Sequence, residues 1–274
     1  MTGKERTDKA LLRAGVLMLA AVLLTCGGAG NGRKRPLPAP ESSAAGGLSV
    51  EQTMKEGVMN IKWLGHSCFL INDGITVITD PYEPGAFGNS LRYAPVDAEA
   101  DIVTVSHSHA DHNHAAGAKN TPRIIDKEGE YREGDNSITM YASFHDEKRG
   151  KERGANLITK IRFASGLVLV HLGDQGCMPD EKIMNALKGA NIVLIPVGGH
   201  FTIDHQKAGE ILDGIAPNII VPMHFKTDKV DFPITGPEKF IALYGDKEEM
   251  SEISLSAEEV LKMKNKVIIL KYLR

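Results

Sequence analysis

The chain is poor in cysteine, poor in aromatic residues and close to charge balance. Its three cysteines, Cys26, Cys68 and Cys177, lie in 274 residues and form no CxxC pair, which excludes a thiolate zinc knuckle and a thioredoxin-like redox pair. One tryptophan and 5% aromatic content accompany 32 Lys plus Arg against 35 Asp plus Glu, a formal net charge of -3. A slightly acidic chain carries no bulk basic field, so nucleic acid is not an expected partner. With 42% hydrophobic and 24% charged residues, the composition is that of a globular protein and excludes general disorder. The length suffices to bury a core without disulfide staples. What the chain does have is histidine: four of its ten fall within the eight residues from His107 to His114, and that crowding marks a site.

The first forty-seven residues read as separate from the core. Residues 14–25 form an uncharged apolar run after a basic start. Twelve helical residues span about 18 Å, short of the roughly 30 Å hydrocarbon core of a bilayer. The small residues that follow complete the pattern of a secretory signal peptide over 1–29. Cys26 sits where a lipid-modified cysteine would follow, after Leu23-Leu24-Thr25, a loose lipobox. Residues 30–47, rich in Gly, Pro, Ser and Ala, read as a flexible linker. The expectation is an exported protein, periplasmic or extracellular, tethered to a membrane through Cys26, with one folded domain over 48–274.

Within that domain, strands are expected over 59–64, 67–71, 75–79, 102–105, 137–143, 157–163, 167–172, 192–196, 219–222 and 267–270. The evidence is β-rich alternation and short continuous apolar runs. Asn72-Asp73-Gly74 signals a hairpin. Helices are expected over 180–187, 204–215, 236–243 and 257–263, with Asp204 as an N-cap. Hairpins first and strand–helix units later predict an α/β (α+β) fold of four layers, αββα.

The chemistry gathers after these strands. His107, His109, Asp111 and His112 form HxHxDH directly after the strand ending near Val105. Imidazole and carboxylate are ligands that Zn²⁺ and similar divalent ions prefer, and a site needs roughly four of them. Further candidates each follow a strand: Asp80, His145, Asp174 and His224. Loops at strand termini are where scaffolds display functional groups.

HxHxDH, followed in order by a lone His, an Asp after Gly and a final His, resembles the metallo-β-lactamase-fold hydrolases. Ile61-Lys62-Trp63-Leu64-Gly65-His66-Ser67, the segment 196–202 and Pro222-Met223-His224-Phe225 are similar to the ascorbate-6-phosphate lactonase-like group within them. That group also includes a phospholipase D cleaving N-acyl-phosphatidylethanolamine. The resemblance implies two divalent metal ions, Zn or Mn. It places His107, His109 and His145 at one site and Asp111, His112 and His224 at the other, with Asp174 bridging. Asp80 would orient the HxHxDH loop, so that Asp111, Asp174 and Asp80 are the acidic residues tied to catalysis. The implied activity is hydrolysis of an ester, lactone, amide or phosphodiester by a metal-bound hydroxide. The substrate would be a small or lipid-derived molecule; a phosphodiesterase on lipid head groups is the alternative. A di-iron O₂- or NO-reducing protein usually has Glu in place of the second His, and His109 counts against it. A silent metal-binding protein would have no need for an open site.

The remaining histidines carry less. His66 is expected beside the pocket or supporting a ligand, His171 as an orienter of Asp174, His200 as a pocket-lining residue, and His114 and His205 at the surface. The charged segment 146–156 follows His145 and reads first as a solvated loop, second as a mouth over the site. Lys226 is a candidate contact for an anionic substrate. Tethering has a direct test: Cys26→Ala followed by membrane fractionation should release the protein into the soluble fraction, and unchanged membrane association would reject lipidation at Cys26.

Overall fold

A computed structural model describes residues 57–273. The expected signal peptide with Cys26, the expected linker and the first residues of the expected domain lie outside the described residues. Two sheets face each other. The first has six strands in the order Ile253–Ser256, Val58–Gly65, Cys68–Asn72, Thr76–Thr79, Ile102–Thr104, Arg123–Ile125. The second has eight: Lys247–Met250, Lys266–Leu270, Ile219–Met223, Ile192–Pro196, Val168–His171, Ala155–Arg162, Asn136–Phe144, Gly129–Glu133.

Alternation along the first sheet decides which side faces inward. Met59, Ile61, Trp63, Val77 and Ile102 point into the core shared with the second sheet, alongside Ile138, Ile158, Leu169 and Val193. Their neighbours Leu64, Ile78 and Val103 point outward into a smaller cluster with Tyr82, Tyr93 and Val96. Strands Ile192–Pro196 and Ile219–Met223 are buried at every position, as parallel strands covered on both faces must be. Helix His205–Ile215 supplies one cover, burying Ala208, Ile211, Leu212 and Ile215 at helical spacing. Asp204 caps it, accepting from the Gln206 and Lys207 N–H groups.

The αββα layering holds, with its two outer layers unequal. The outer face of the first sheet is covered mostly by the irregular segment between Asp80 and Ala100 and by Val230 and Ile234. The only helix in that stretch, among the described residues, is Ala86–Asn89. The expected helix over 236–243 contracts to Glu238–Ile241. The turn of the hairpin at Asn72 is shifted by one residue from its sequence signal, from 72–74 to 73–75. Asn72 pairs with Thr76, so Ile75 belongs to the turn and Gly74 takes φ 79°. Besides the two-residue pair Ala98–Glu99 and Ala118–Lys119, four strands of the two large sheets escape the periodicity argument: Arg123–Ile125, Gly129–Glu133, Lys247–Met250 and Ile253–Ser256. Each is an outer strand of its sheet, where one backbone edge meets no partner and polar or charged side chains interrupt the apolar run.

The layout matters for function because the strand ends converge. Thr76–Thr79 and Ile102–Thr104 run parallel, as do Val168–His171, Ile192–Pro196 and Ile219–Met223. The residues following their C-terminal ends therefore emerge on one rim. One glycine on this rim is obligatory. Gly65 sits at φ 131°, and a Cβ there would lie 2.5 Å from the Tyr93 ring. Gly65→Ala should destabilise the fold by about 2 kcal/mol or more through overpacking and backbone strain, read as a lower urea midpoint; an unchanged midpoint would contradict this packing.

Candidate metal centre

The site is built around Asp80. It follows strand Thr76–Thr79, is 1% exposed and adopts φ 40°, with its N–H donating to Thr104 O at 2.8 Å. Oδ1 accepts the Ser106 N–H at 2.7 Å, and Oδ2 accepts the Ser106 hydroxyl at 2.6 Å. Oδ2 also accepts His112 Nδ1–H at 2.9 Å. The Ser106 hydroxyl has one hydrogen, given to Asp80, so it accepts from His107 Nδ1–H at 2.9 Å. Both rings thus carry their proton outward and turn Nε2 toward the centre, the arrangement that ligating histidines require.

The distant strand ends bring the other donors. His107 Nε2 and His109 Nδ1 are 3.0 Å apart, and these two residues group with His145. Asp174 lies against both halves of the cluster. Its Oδ2 is 3.2 Å from His145 Nε2 and 3.3 Å from His224 Nε2, and its Oδ1 is 3.1 Å from His112 Nε2. On the far side Asp111, His112 and His224 group with His66. All seven ligands expected from the sequence are brought together. His66 joins them more closely than its sequence context indicated. Its ring is fully buried, lies 4.0 Å from the His224 ring, and donates from Nε2 to Asp111 Oδ2 at 3.2 Å. The pattern Gly65-His66-Ser67 at a strand end was the available signal; its closeness to Asp111 depends on a fold contact.

Backbone devices hold these ends. The His66 carbonyl accepts from Trp63 Nε1 at 2.9 Å and from His224 N at 3.2 Å. His66 and His224 both take left-handed φ, 54° and 50°. Asp174 N donates to Asn156 Oδ1 at 2.9 Å. Behind His145, the buried Asp146 carboxylate accepts four backbone N–H groups, from Lys148, Gly150, Glu152 and Arg153, at 2.7–2.9 Å. The charged segment is therefore a wound loop rather than a loose one. With Arg153 and Gly154 it lines a cavity of about 330 Å³ shared with His107 and His109.

The other candidates fall outside the cluster. His171 donates to Ser67 O and accepts from Gly173 N, so it shapes the turn that carries Asp174. His114 is half-buried, with its N–H on Pro81 O. His200 is exposed and His205 begins a helix. Lys226 Nζ donates to Phe232 O at 2.8 Å and so braces a loop.

The donor set fits divalent metal. His112 Nε2 and Asp174 Oδ1 are buried and face each other at 3.1 Å without a hydrogen bond; Asp111 Oδ1 is likewise unpartnered. Two ligands on one tetrahedral ion with bonds of about 2.0–2.1 Å stand roughly 3.4 Å apart, near the spacings seen here. Residues 60–224 match the model of the β-lactamase superfamily domain. The chain belongs to the metallo-β-lactamase superfamily. It is 29% identical over 231 residues to a UPF0173 metal-dependent hydrolase of Thermococcus onnurineus, covering 75% of this chain and all of the relative. A UPF0173 metal-dependent hydrolase of Thermoplasma acidophilum is 30% identical over 68% of this chain and 91% of its own length. Among solved structures, a Thermotoga maritima protein assigned as a Zn-dependent hydrolase of the metallo-β-lactamase superfamily superposes with TM-score 0.64 at 29% identity. The match covers 78% of this chain and 100% of that one.

Electrostatics in this metallo-β-lactamase-fold centre keep most of its rings neutral, with His112 the exception in the metal-free protein. Burial, helped by His224, lowers His66 to about 4, and burial with His112 lowers His107 to about 3. Burial also lowers His109 and His171. Burial acts against charge on Asp174, yet His112 and His224 hold its carboxyl well below the usual range. Burial opposes protonation of His112 too, but Asp174 and Asp111 raise it well above an ordinary histidine. The pH consequence has a definite sign. Below about pH 6.5 the unfolded chain takes up protons on His66, His107, His109 and His171 that the folded metal-free protein refuses. The stability of the metal-free protein should therefore fall as pH drops from about 6.5 toward 4, by urea unfolding. Rising stability over that window would contradict the burial of these rings.

Proposed function

We propose that this chain is a metal-dependent hydrolase with a dinuclear centre, cleaving an ester, lactone, amide or phosphodiester bond. The observation that carries the reading is Asp174, whose two oxygens lie within 3.3 Å of His145, His224 and His112, one carboxylate serving both halves of the cluster. His107, His109 and His145 would hold one ion, and Asp111, His112 and His224 the other, with Asp174 between them. Zn fits these nitrogen and oxygen ligands, and Mn suits them as well. Such ions supply Lewis acidity and lower the pKa of bound water from 15.7 toward about 7.

The chain's own residues do the rest. Asp80, through Ser106 and His112, fixes the orientation of the HxHxDH loop. His66 donates to Asp111 and so sets which oxygen that carboxylate turns inward. The neutral state of His107 and His66 leaves nitrogen lone pairs and N–H groups where the geometry needs them. The wound loop anchored by Asp146 closes the His107–His109 side, where Arg153 and Lys127 line the cavity next to the centre.

Elemental analysis of the purified protein should give close to two equivalents of Zn or Mn. Asp174→Ala should lose metal from both positions, and His109→Ala from one. Both should lose hydrolysis of bis-p-nitrophenyl phosphate or of a lactone panel by a factor of 100 or more, on the order of the loss that removal of a metal-centre group produces. Full activity in both variants, or a folded wild-type protein active without metal, would reject the reading.

A further inference from the structure

The two flanks of the centre differ in chemistry. On the His107–His109 side the cavity is lined by Asp126, Lys127, Glu128 and Arg153. On the His66–His224 side the neighbours are rings. The Phe232 ring lies 5.8 Å from the His66 ring, inclined at 68°. Phe87 and Phe201 each meet Phe232 edge to face, at 5.6 Å and 5.9 Å. His200 meets Phe201 at 4.5 Å, and the Arg153 guanidinium lies 5.7 Å from the Phe201 ring centre. A continuous aromatic wall thus runs from a member of the metal cluster to the surface.

Two observations separate this wall from incidental surface packing. The loops that carry it are stapled together. Asp231 N–H donates to Ser90 O at 2.7 Å, Arg92 N–H to Lys229 O at 2.8 Å, and Leu91 bridges Val230. Lys226 Nζ holds the Phe232 carbonyl itself, and Thr235 donates twice to Gly198 O. The tip of the wall is also held in a costly conformation. Phe87 is 54% exposed yet has φ 53°, within a run of left-handed residues at Gly85, Gly88 and Asn89. A bulky residue at positive φ is uncommon. Core burial cannot be what maintains it, since half of the side chain meets solvent. Backbone strain of this kind collects where a ligand is held.

We propose that this wall binds an apolar substituent, aryl or acyl, of the substrate whose scissile group sits at the metal centre. The proposal rests on the hydrolase reading above and adds the class of substrate. Because His66 forms the base of the wall, the atoms next to the scissile group meet Phe232 first, and a longer or wider substituent extends onto Phe87 and Phe201. Edge-to-face contact and apolar burial favour such a group over water, and the stapled loops make the surface ready before binding.

Calorimetric titration of the metal-loaded full chain with phenylphosphonate and methylphosphonate tests this. Both probes carry the same anionic head and differ only in the apolar group. Phenylphosphonate should bind roughly tenfold tighter or more, the scale expected for burying a phenyl ring. Phe232→Ala should bring the ratio near one, Phe87→Ala should reduce it in part, and Phe232→Leu should keep most of it. Metal content, measured on each variant, verifies that the centre is intact. A ratio near one in the wild-type protein, or an unchanged ratio in Phe232→Ala, overturns the wall while methylphosphonate binding upholds the centre. A wild-type protein that holds no metal and binds neither phosphonate overturns both readings.

Discussion

The hydrogen bonds from Asp80 to Ser106 and His112 are the constraint on which the site depends. One buried carboxylate takes three donors, two from Ser106 and one from His112. Those contacts span the HxHxDH segment, so its two ends cannot swing independently. The same bonds set the proton positions on two rings, since a ring that donates outward from Nδ1 presents Nε2 inward. Without Asp80, His107 and His112 would keep their places in the sequence but lose a defined orientation. Asp80 is itself held by the parallel pairing of Thr76–Thr79 with Ile102–Thr104, and so the sheet reaches the metal centre through a single side chain.

Strain is distributed around the rim in the same economical way. Asp80, His66, His200 and His224 all have positive φ, and three of the four belong to the buried cluster or support it. Asp80, His66 and His224 each directly follow a strand and are buried, so each must turn its side chain sharply into the site. A left-handed residue makes that turn in one step. The compensation is visible at the three buried residues: the Asp80 N–H donates to Thr104 O, the His66 carbonyl takes two donors, and His224 N–H is one of them.

Much of this was legible in the sequence, for a physical reason. Interior strands carry apolar runs because both faces are buried, and ligands follow them because strand ends open onto a shared rim. Asp80, the HxHxDH residues, His145, Asp174 and His224 could therefore be ordered along the chain. The outer strands were not legible. Lys247–Met250 has three charged residues in four and is a strand only because Lys266–Leu270 pairs with it. His66 was half legible: its place after a strand showed, but its contact with Asp111 spans 45 positions and depends on sheet order. The aromatic wall was invisible for the same reason, since Phe87, Phe201 and Phe232 belong to three separate segments with no shared motif.

The loop wound around Asp146 separates two duties that usually compete. Its shape is set by one side chain and four backbone N–H groups, and of those four donors only Gly150 must be glycine, since a Cβ there would meet Gly154 O at 2.8 Å. Glu147 and Lys148 place their charges in exposed pairs with Lys207 and Glu152, away from the ligands. The sequence facing outward beside the centre can drift, and with it the molecules admitted on that side, while His145 stays where it is. A superfamily that keeps one metal scaffold under many entrances needs a hinge point of this sort, where variation in the entrance does not propagate to the ligand next to it.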